Sequence, residues 1–389
     1  MTFDFDQVIN RYGTNSVKFD LAETNGYPKD ILPLWVADMD FQAPPCVREA
    51  LQKAVEHGIF GYSVLGDGYY EAVENWFSRH FGWQIQRQWL IPTPGVVFAL
   101  AAGVRAATEP GEAVLVQPPV YYPFYNVINQ NGRRLVENPM IYEDGHYRID
   151  FADMEEKIKE NDVKLFILCS PHNPVCRVWT KDELRQLGAI CKKYSVKVIS
   201  DEIHCDFAFP EHPHTPFVVA CPDMLDETII CTAPSKSFNM AGLQVSNIFV
   251  PGEKLREKYR REMDICSYHG LNQLGAVACE AAYRDGEQWL TACKVYMREN
   301  LAYVRSFLQE NLPEIRLVEP EGTYFAWLDC SGLGLSKKAL DDLIIHKAGL
   351  WLDSGAIFGD CAAQFQRLVL ACPRSTLEKA LENLKKAVG

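Results

Sequence analysis

The chain has 389 residues, of which 48% are hydrophobic and 23% charged, and its 39 basic and 51 acidic side chains leave a formal charge of −12. This composition excludes a mostly disordered chain, gives no general attraction to nucleic acid or anionic lipid, and is long enough for two domains or for one domain with a substantial second lobe. The most apolar stretch, Val96 to Ala107, is short and interrupted by Arg105, the start is polar and acidic, and thirteen cysteines lie scattered without a CxxC pair, so we expect no membrane span, no secretory signal, and free thiols in a reducing cytoplasm.

In chain order, apolar residues at helical spacing predict helices over Val47 to Gly58 and Tyr69 to Phe81. Thr93-Pro94-Gly95 then opens a strongly apolar helix, Val96 to Thr108. Short runs rich in Val, Ile, Leu and Phe predict buried parallel strands at Ala113 to Val116, Val163 to Cys169, Val196 to Ser200, Thr228 to Thr232 and Ser246 to Val250. Helical stretches such as Lys181 to Tyr194 separate several of them, which points to an α/β sheet covered on both faces. The character changes near residue 285. A long helix, Glu287 to Asn311, is followed by strands at Gly322 to Leu328 and Gln366 to Ala371, a helix at Lys337 to Ala348, and a last amphipathic helix, Thr376 to Val388. We therefore expect an N-terminal segment, 1–45, packing with the small domain, a large domain over 46–285, and a small α+β domain over 286–389.

Ligands of open α/β sheets bind beyond the carboxyl ends of the strands. Three predicted strands end in reactive polar residues: Ser170-Pro171-His172-Asn173-Pro174, Asp201-Glu202-Ile203-His204, and Ala233-Pro234-Ser235-Lys236-Ser237. An amide, a carboxylate and a lysine thus converge on one sheet edge. The helix begun by Gly95-Val96-Val97 offers free N–H groups suited to a phosphate. Pyridoxal phosphate needs all of these: a lysine for its aldehyde, an acid beside its ring nitrogen, and an anion cradle. Lys236, Asp201 and Asn173 fill the first two roles and the contact to the ring oxygen, with Tyr121 on the ring face. The pairs Glu202/His204 and His212/His214 have no accompanying cysteine pair, and no metal site is expected. Gly66-Asp67-Gly68 reads as a turn.

These motifs, in this order, resemble fold-type I pyridoxal-phosphate enzymes of the aminotransferase superfamily over nearly the whole chain. Trp35-Val36-Ala37-Asp38-Met39-Asp40-Phe41, Thr93-Pro94-Gly95-Val96-Val97, Pro119-Val120-Tyr121-Tyr122-Pro123 and Ala371-Cys372-Pro373-Arg374 are similar, more narrowly, to the cystathionine β-lyase-like C–S lyases of the MalY/PatB type. The resemblance implies a large domain with a mainly parallel seven-stranded sheet and a smaller α+β domain. It implies Lys236, Asp201 and Tyr121 as catalytic residues, and Gly95, Val96, Val97, Tyr121, Asn173, Asp201, His204, Ser235 and Lys236 around the cofactor. Tyr62 would reach the phosphate of a neighbouring subunit in a homodimer. Arg374, with Ala37 and Asn173, would bind the substrate, its guanidinium gripping the α-carboxylate. The implied reaction is cleavage of L-cystathionine or a related cysteine S-conjugate to a thiol, pyruvate and ammonia, with an aminotransferase as the alternative. A regulatory module binding a protein partner is the alternative from a different class, since some relatives of this branch also bind transcription factors.

The chain also departs from the common aminotransferase pattern. His204 stands three residues after the aspartate in place of tyrosine, and Gln244 eight residues after the lysine in place of arginine. Cys176, Cys361, Ala363 and Val369 occupy positions where relatives carry other residues.

Overall fold

Strands buried on both faces read as continuous apolar runs, and such runs build the central sheet of the computed structural model, which describes residues 3–389. Its seven strands are β1 (Leu90–Thr93), β2 (Ala113–Val116), β3 (Arg134–Glu137), β4 (Val163–Cys169), β5 (Lys197–Asp201), β6 (Thr228–Thr232) and β7 (Ser246–Phe249). Their spatial order is β1-β7-β6-β5-β4-β2-β3. Side chains alternate between two cores. Leu165, Ile167, Ile199 and Ile229 face the helices Val96–Ala107 and Glu253–Ile265. Phe166, Leu168, Val198 and Ile230 face the other layer, which includes the helices Asp67–Phe81, Lys181–Lys193 and Gln273–Asp285. Gly103 lets the helix Val96–Ala107 lie close on the sheet, because a Cβ there would stand 2.9 Å from Ile199 Cδ1.

One expected strand runs the other way. β7 is antiparallel to both β1 and β6, whereas every other neighbouring pair is parallel. A parallel return needs a crossover to the far end of the sheet. Residues 233–245 hold only a four-residue helix, Pro234–Ser237, and a short turn, Ala241–Leu243, so the chain re-enters at the edge it left. That reversal keeps Lys236 at the carboxyl edge.

The smaller part is a four-stranded antiparallel sheet of β8 (Arg316–Val318), β9 (Phe325–Asp329), β10 (Asp353–Ser354) and β11 (Phe365–Val369), in the order β8-β9-β11-β10. The expected helix from Lys337 is α-helical only over Lys337–Asp342 and widens to a π-turn over Leu343–Lys347. The 25-residue helix Glu287–Asn311 serves both parts: Trp289, Cys293 and Met297 pack into the large core, Leu301, Val304 and Leu308 into the small one. The N-terminal segment touches both parts, with Phe5, Met39 and Phe41 in the large core and residues 32–35 against the small part. Leu32 and Pro33 pair in parallel with Leu350 and Trp351, and the Trp35 ring stacks on Trp351 at 4.3 Å. Among the described residues no helix is long and apolar enough to cross a membrane.

Candidate active site

The ends of β1, β4, β5 and β6 surround a cavity of about 310 Å³. Asp201 closes β5 with its carboxyl buried; Oδ1 accepts the Ile203 N–H at 3.2 Å, and Oδ2 has no hydrogen-bond partner among the described residues. Burial, with repulsion from Glu202, lifts this carboxyl to about 7 against the pull of the Ile203 N–H and the Lys236 charge. Lys236 projects from the short helix after β6, and its Nζ donates to the Ala37 carbonyl at 2.7 Å. Burial lowers its pKa to about 8, because the charged form loses water and gains only partial return from Asp38 and Asp201. His204 packs edge-on against Tyr324 and Phe325, at 5.6 and 5.3 Å between ring centres. Burial, then the nearby charges of Lys236 and Arg367, hold its imidazole neutral, far below its usual pKa. Tyr121 lines the cavity with its phenol pushed well above the usual range by burial.

At one end the helix Val96–Ala107 begins. Gly95 precedes it at φ 134°, a backbone angle that side-chain-bearing residues rarely adopt, and the first N–H groups open toward the cavity beside Ser235 and Gln244. Gly95, Val96, Val97, Ala37, Tyr121, Asn173, Asp201, His204, Ser235 and Lys236 thus share one cavity. Two expected residues lie elsewhere. Tyr62 is fully exposed, in a groove with Phe60 and the Ser267–Leu274 stretch. Arg374 begins the last helix, where its Nε donates to Asn300 Oδ1 at 2.8 Å and its guanidinium lies 4.9 Å from the centre of the Tyr303 ring. That side chain ties the last helix to the long helix and does not line the cavity.

The cavity holds another arginine instead. Arg367, in the middle of β11 and only 3% exposed, donates from Nη1 to Asn173 Oδ1 at 2.8 Å and from Nη2 to the Trp35 carbonyl at 2.9 Å, and it pairs with the buried Asp353. Its guanidinium is sandwiched between Phe325 and Phe358, 4.4 and 4.9 Å from the ring centres. A strand cation among apolar neighbours carried a signal, since a buried charge needs a partner. Cys176, Cys361, Ala363 and Val369 do not line the cavity, whereas Gln244 does.

The segment 35–41 forms one wall and is fastened from the N-terminus. Lys18, fully buried, donates to Asp40 Oδ2 and the Asp38 carbonyl, both at 2.9 Å. Arg11 reaches Asp38 Oδ2 at 2.6 Å, Asp40 Oδ1 at 2.9 Å and the Met39 carbonyl at 3.1 Å.

The donor set fits pyridoxal phosphate. A buried carboxyl with one oxygen unpartnered calls for a cation, which a protonated ring nitrogen supplies, and the helix N-terminus beside Ser235 suits a phosphate. The model of the family described as aminotransferase class I and II matches residues 29–384. The chain belongs to that family. Within the class I and II aminotransferase family, it is 41% identical to the cystathionine β-lyase PatB of Bacillus subtilis, over 99% of this chain and 100% of PatB. Cystalysin of Treponema denticola, whose crystal structure contains pyridoxal 5′-phosphate, superposes with a TM-score of 0.96 at 39% identity, over 100% of this chain and 99% of that one. The pyridoxal-phosphate-bound C–S lyase of Staphylococcus hominis gives 0.93 at 35% identity, over 100% and 98%. The fold is that of the fold-type I enzymes, and pyridoxal phosphate is the cofactor.

Proposed function

We infer that the protein is a pyridoxal-phosphate-dependent C–S β-lyase, which cleaves L-cystathionine or a related cysteine S-conjugate to a thiol, pyruvate and ammonia. The observation that carries this is the meeting of a buried lysine amine poised near 8, a buried acid, and an aromatically clamped arginine in one cavity of a chain so similar to PatB along its full length. When bound, the cofactor supplies the aldehyde carbon that holds the substrate amine and a ring that draws electrons from the α-carbon.

The chain's residues do the rest. Asp201 would pair with the protonated ring nitrogen, Asn173 would bond the ring oxygen, and Tyr121 would pack on the ring. Val96, Val97, Ser235 and Gln244 offer neutral hydrogen-bond donors to the phosphate. Arg367, in the role first expected of Arg374, grips the α-carboxylate; its rigid link to Asn173 sets the orientation of the α-carbon. The Lys236 amine, carrying a substantial neutral fraction near pH 8, removes the α-proton at Nζ. The bond between Cβ and sulfur breaks, the electron pair leaves with the sulfur as a thiolate, and the three-carbon remainder takes up water to give pyruvate and ammonia.

Two copies associate in this reading, because the exposed Tyr62 has a role only in a neighbour's site. Exposed Ile59, Phe60 and Val64 around it support a covered surface. Thirteen free cysteines support a reducing, cytoplasmic location. The purified holoenzyme given an S-alkyl-L-cysteine without any 2-oxo acid should release thiol and pyruvate promptly. Strict dependence on an oxo-acid acceptor would overturn the lyase reading in favour of an aminotransferase.

A further inference from the structure

We propose that this site selects thioethers whose sulfur substituent ends in an uncharged group and discriminates against a substituent ending in a carboxylate. The proposal rests on the lyase reading and follows from the charges around the cavity.

Among the described residues only two cations line it, Lys236 and Arg367, against the carboxyls of Asp201 and Asp353. Both cations have work at the reacting end. Lys236 attends the α-carbon. Arg367 serves the α-carboxylate and already balances Asp353, to which it is joined directly. The phosphate brings about two further negative charges, as phosphate monoesters do near pH 7. Its cradle answers with backbone N–H groups, Ser235 and Gln244, none of them a cation. Apart from Asn173 and the neutral His204, the rest of the wall is apolar or aromatic and includes Trp35, Val36, Phe98, Tyr122, Ile203 and Val245.

Among the residues lining the cavity, a distal carboxylate therefore meets no free counter-charge, and it meets the phosphate as a like charge. Removing such an ion from water without a partner is disfavoured, whereas an amide or alkyl end of the same shape escapes that cost. A neighbouring copy supplies no remedy through the segment around Tyr62, because Gly58 to Gly66, GIFGYSVLG, contains no charged side chain.

The test uses isosteres on the holoenzyme. S-(2-carboxyethyl)-, S-(2-carbamoylethyl)- and S-(3-methylbutyl)-L-cysteine share size and differ at the tip. The amide and the alkyl compound should exceed the carboxylate at least tenfold in kcat/KM for thiol release, or about 1.4 kcal/mol. L-Cystathionine, with a distal carboxylate and ammonium together, should fall between them. The same series with CH2 in place of sulfur cannot lose a thiol, and its binding is read from the change in cofactor absorption; the amide analogue should bind at least tenfold tighter than the acid. Equal or better binding of the acid, or its equal or faster cleavage, overturns the proposal. The expected order of binding with no thiol release from any thioether upholds the charge rule and defeats the lyase reading.

Discussion

Exchange of Arg367 for lysine separates the two arginines that compete for the substrate's carboxylate. The guanidinium makes hydrogen bonds to Asn173 and Trp35 and an ion pair with Asp353, and the two aromatic rings fix its plane. Lysine keeps the charge and loses the two-pronged geometry, so about one charge-assisted hydrogen bond to the carboxylate is forfeited, about 1.5–3 kcal/mol. That corresponds to a fall of about ten- to a hundred-fold in kcat/KM. Arg374→Met loses one hydrogen bond to Asn300 and a ring contact, remote from the cavity. It should leave kcat/KM within about threefold and lower stability by about 1 kcal/mol. Thiol release from S-methyl-L-cysteine measures both variants, with cofactor absorption recorded to show that each remains loaded. S-Methyl-L-cysteinamide, which lacks the carboxylate, completes the cycle: the deficit of Arg367→Lys should shrink toward none. A larger loss in Arg374→Met than in Arg367→Lys, or an undiminished deficit on the amide, would refute the assignment.

Other outcomes follow from the same geometry. Because Asp201 titrates near 7 when folded and near 3.9 when unfolded, its ionisation costs the cofactor-free protein stability, which falls as pH rises between those values, by up to about 4 kcal/mol. Asp201→Asn should therefore raise the melting temperature of cofactor-free protein at pH 8, with the gain shrinking toward pH 4; a gain independent of pH contradicts the argument. Gln244→Arg places a cation beside the phosphate cradle and should slow cofactor dissociation at least severalfold, read by loss of absorption on dilution. Tyr62→Phe should weaken cofactor retention while light scattering still gives a two-chain mass; a wild-type monomer at assay concentration removes Tyr62 from the site.

The interior of the sheet was legible because β2, β4 and β6 are dominated by apolar residues, with Lys164 the one charge among them, and have the same limits in sequence and structure. The outer strands were not. Pro92 interrupts β1, and β3 leaves Arg134 and Glu137 exposed, so neither reads as a buried strand. The direction of β7 depends on how its connection folds, which apolar content does not encode. At the site, residues directly after strand ends were found because a sheet edge gathers them. Arg367 was missed because it lies within a strand, and the motif ending in Arg374 drew attention seven residues too far along. Pairing a lone cation inside an apolar run with an acid in a neighbouring strand, here Asp353, is the signal that finds it.

The N-terminal fastening has a consequence for handling the protein. One segment, 35–41, presents the Trp35 carbonyl to Arg367 and the Ala37 carbonyl to Lys236, and it is buckled by Lys18 and Arg11. Trimming the first twenty residues would remove only Phe3 and Phe5 from the rim of the large core while loosening both contacts together. A shortened preparation would still look folded by circular dichroism while its grip on substrate slackens.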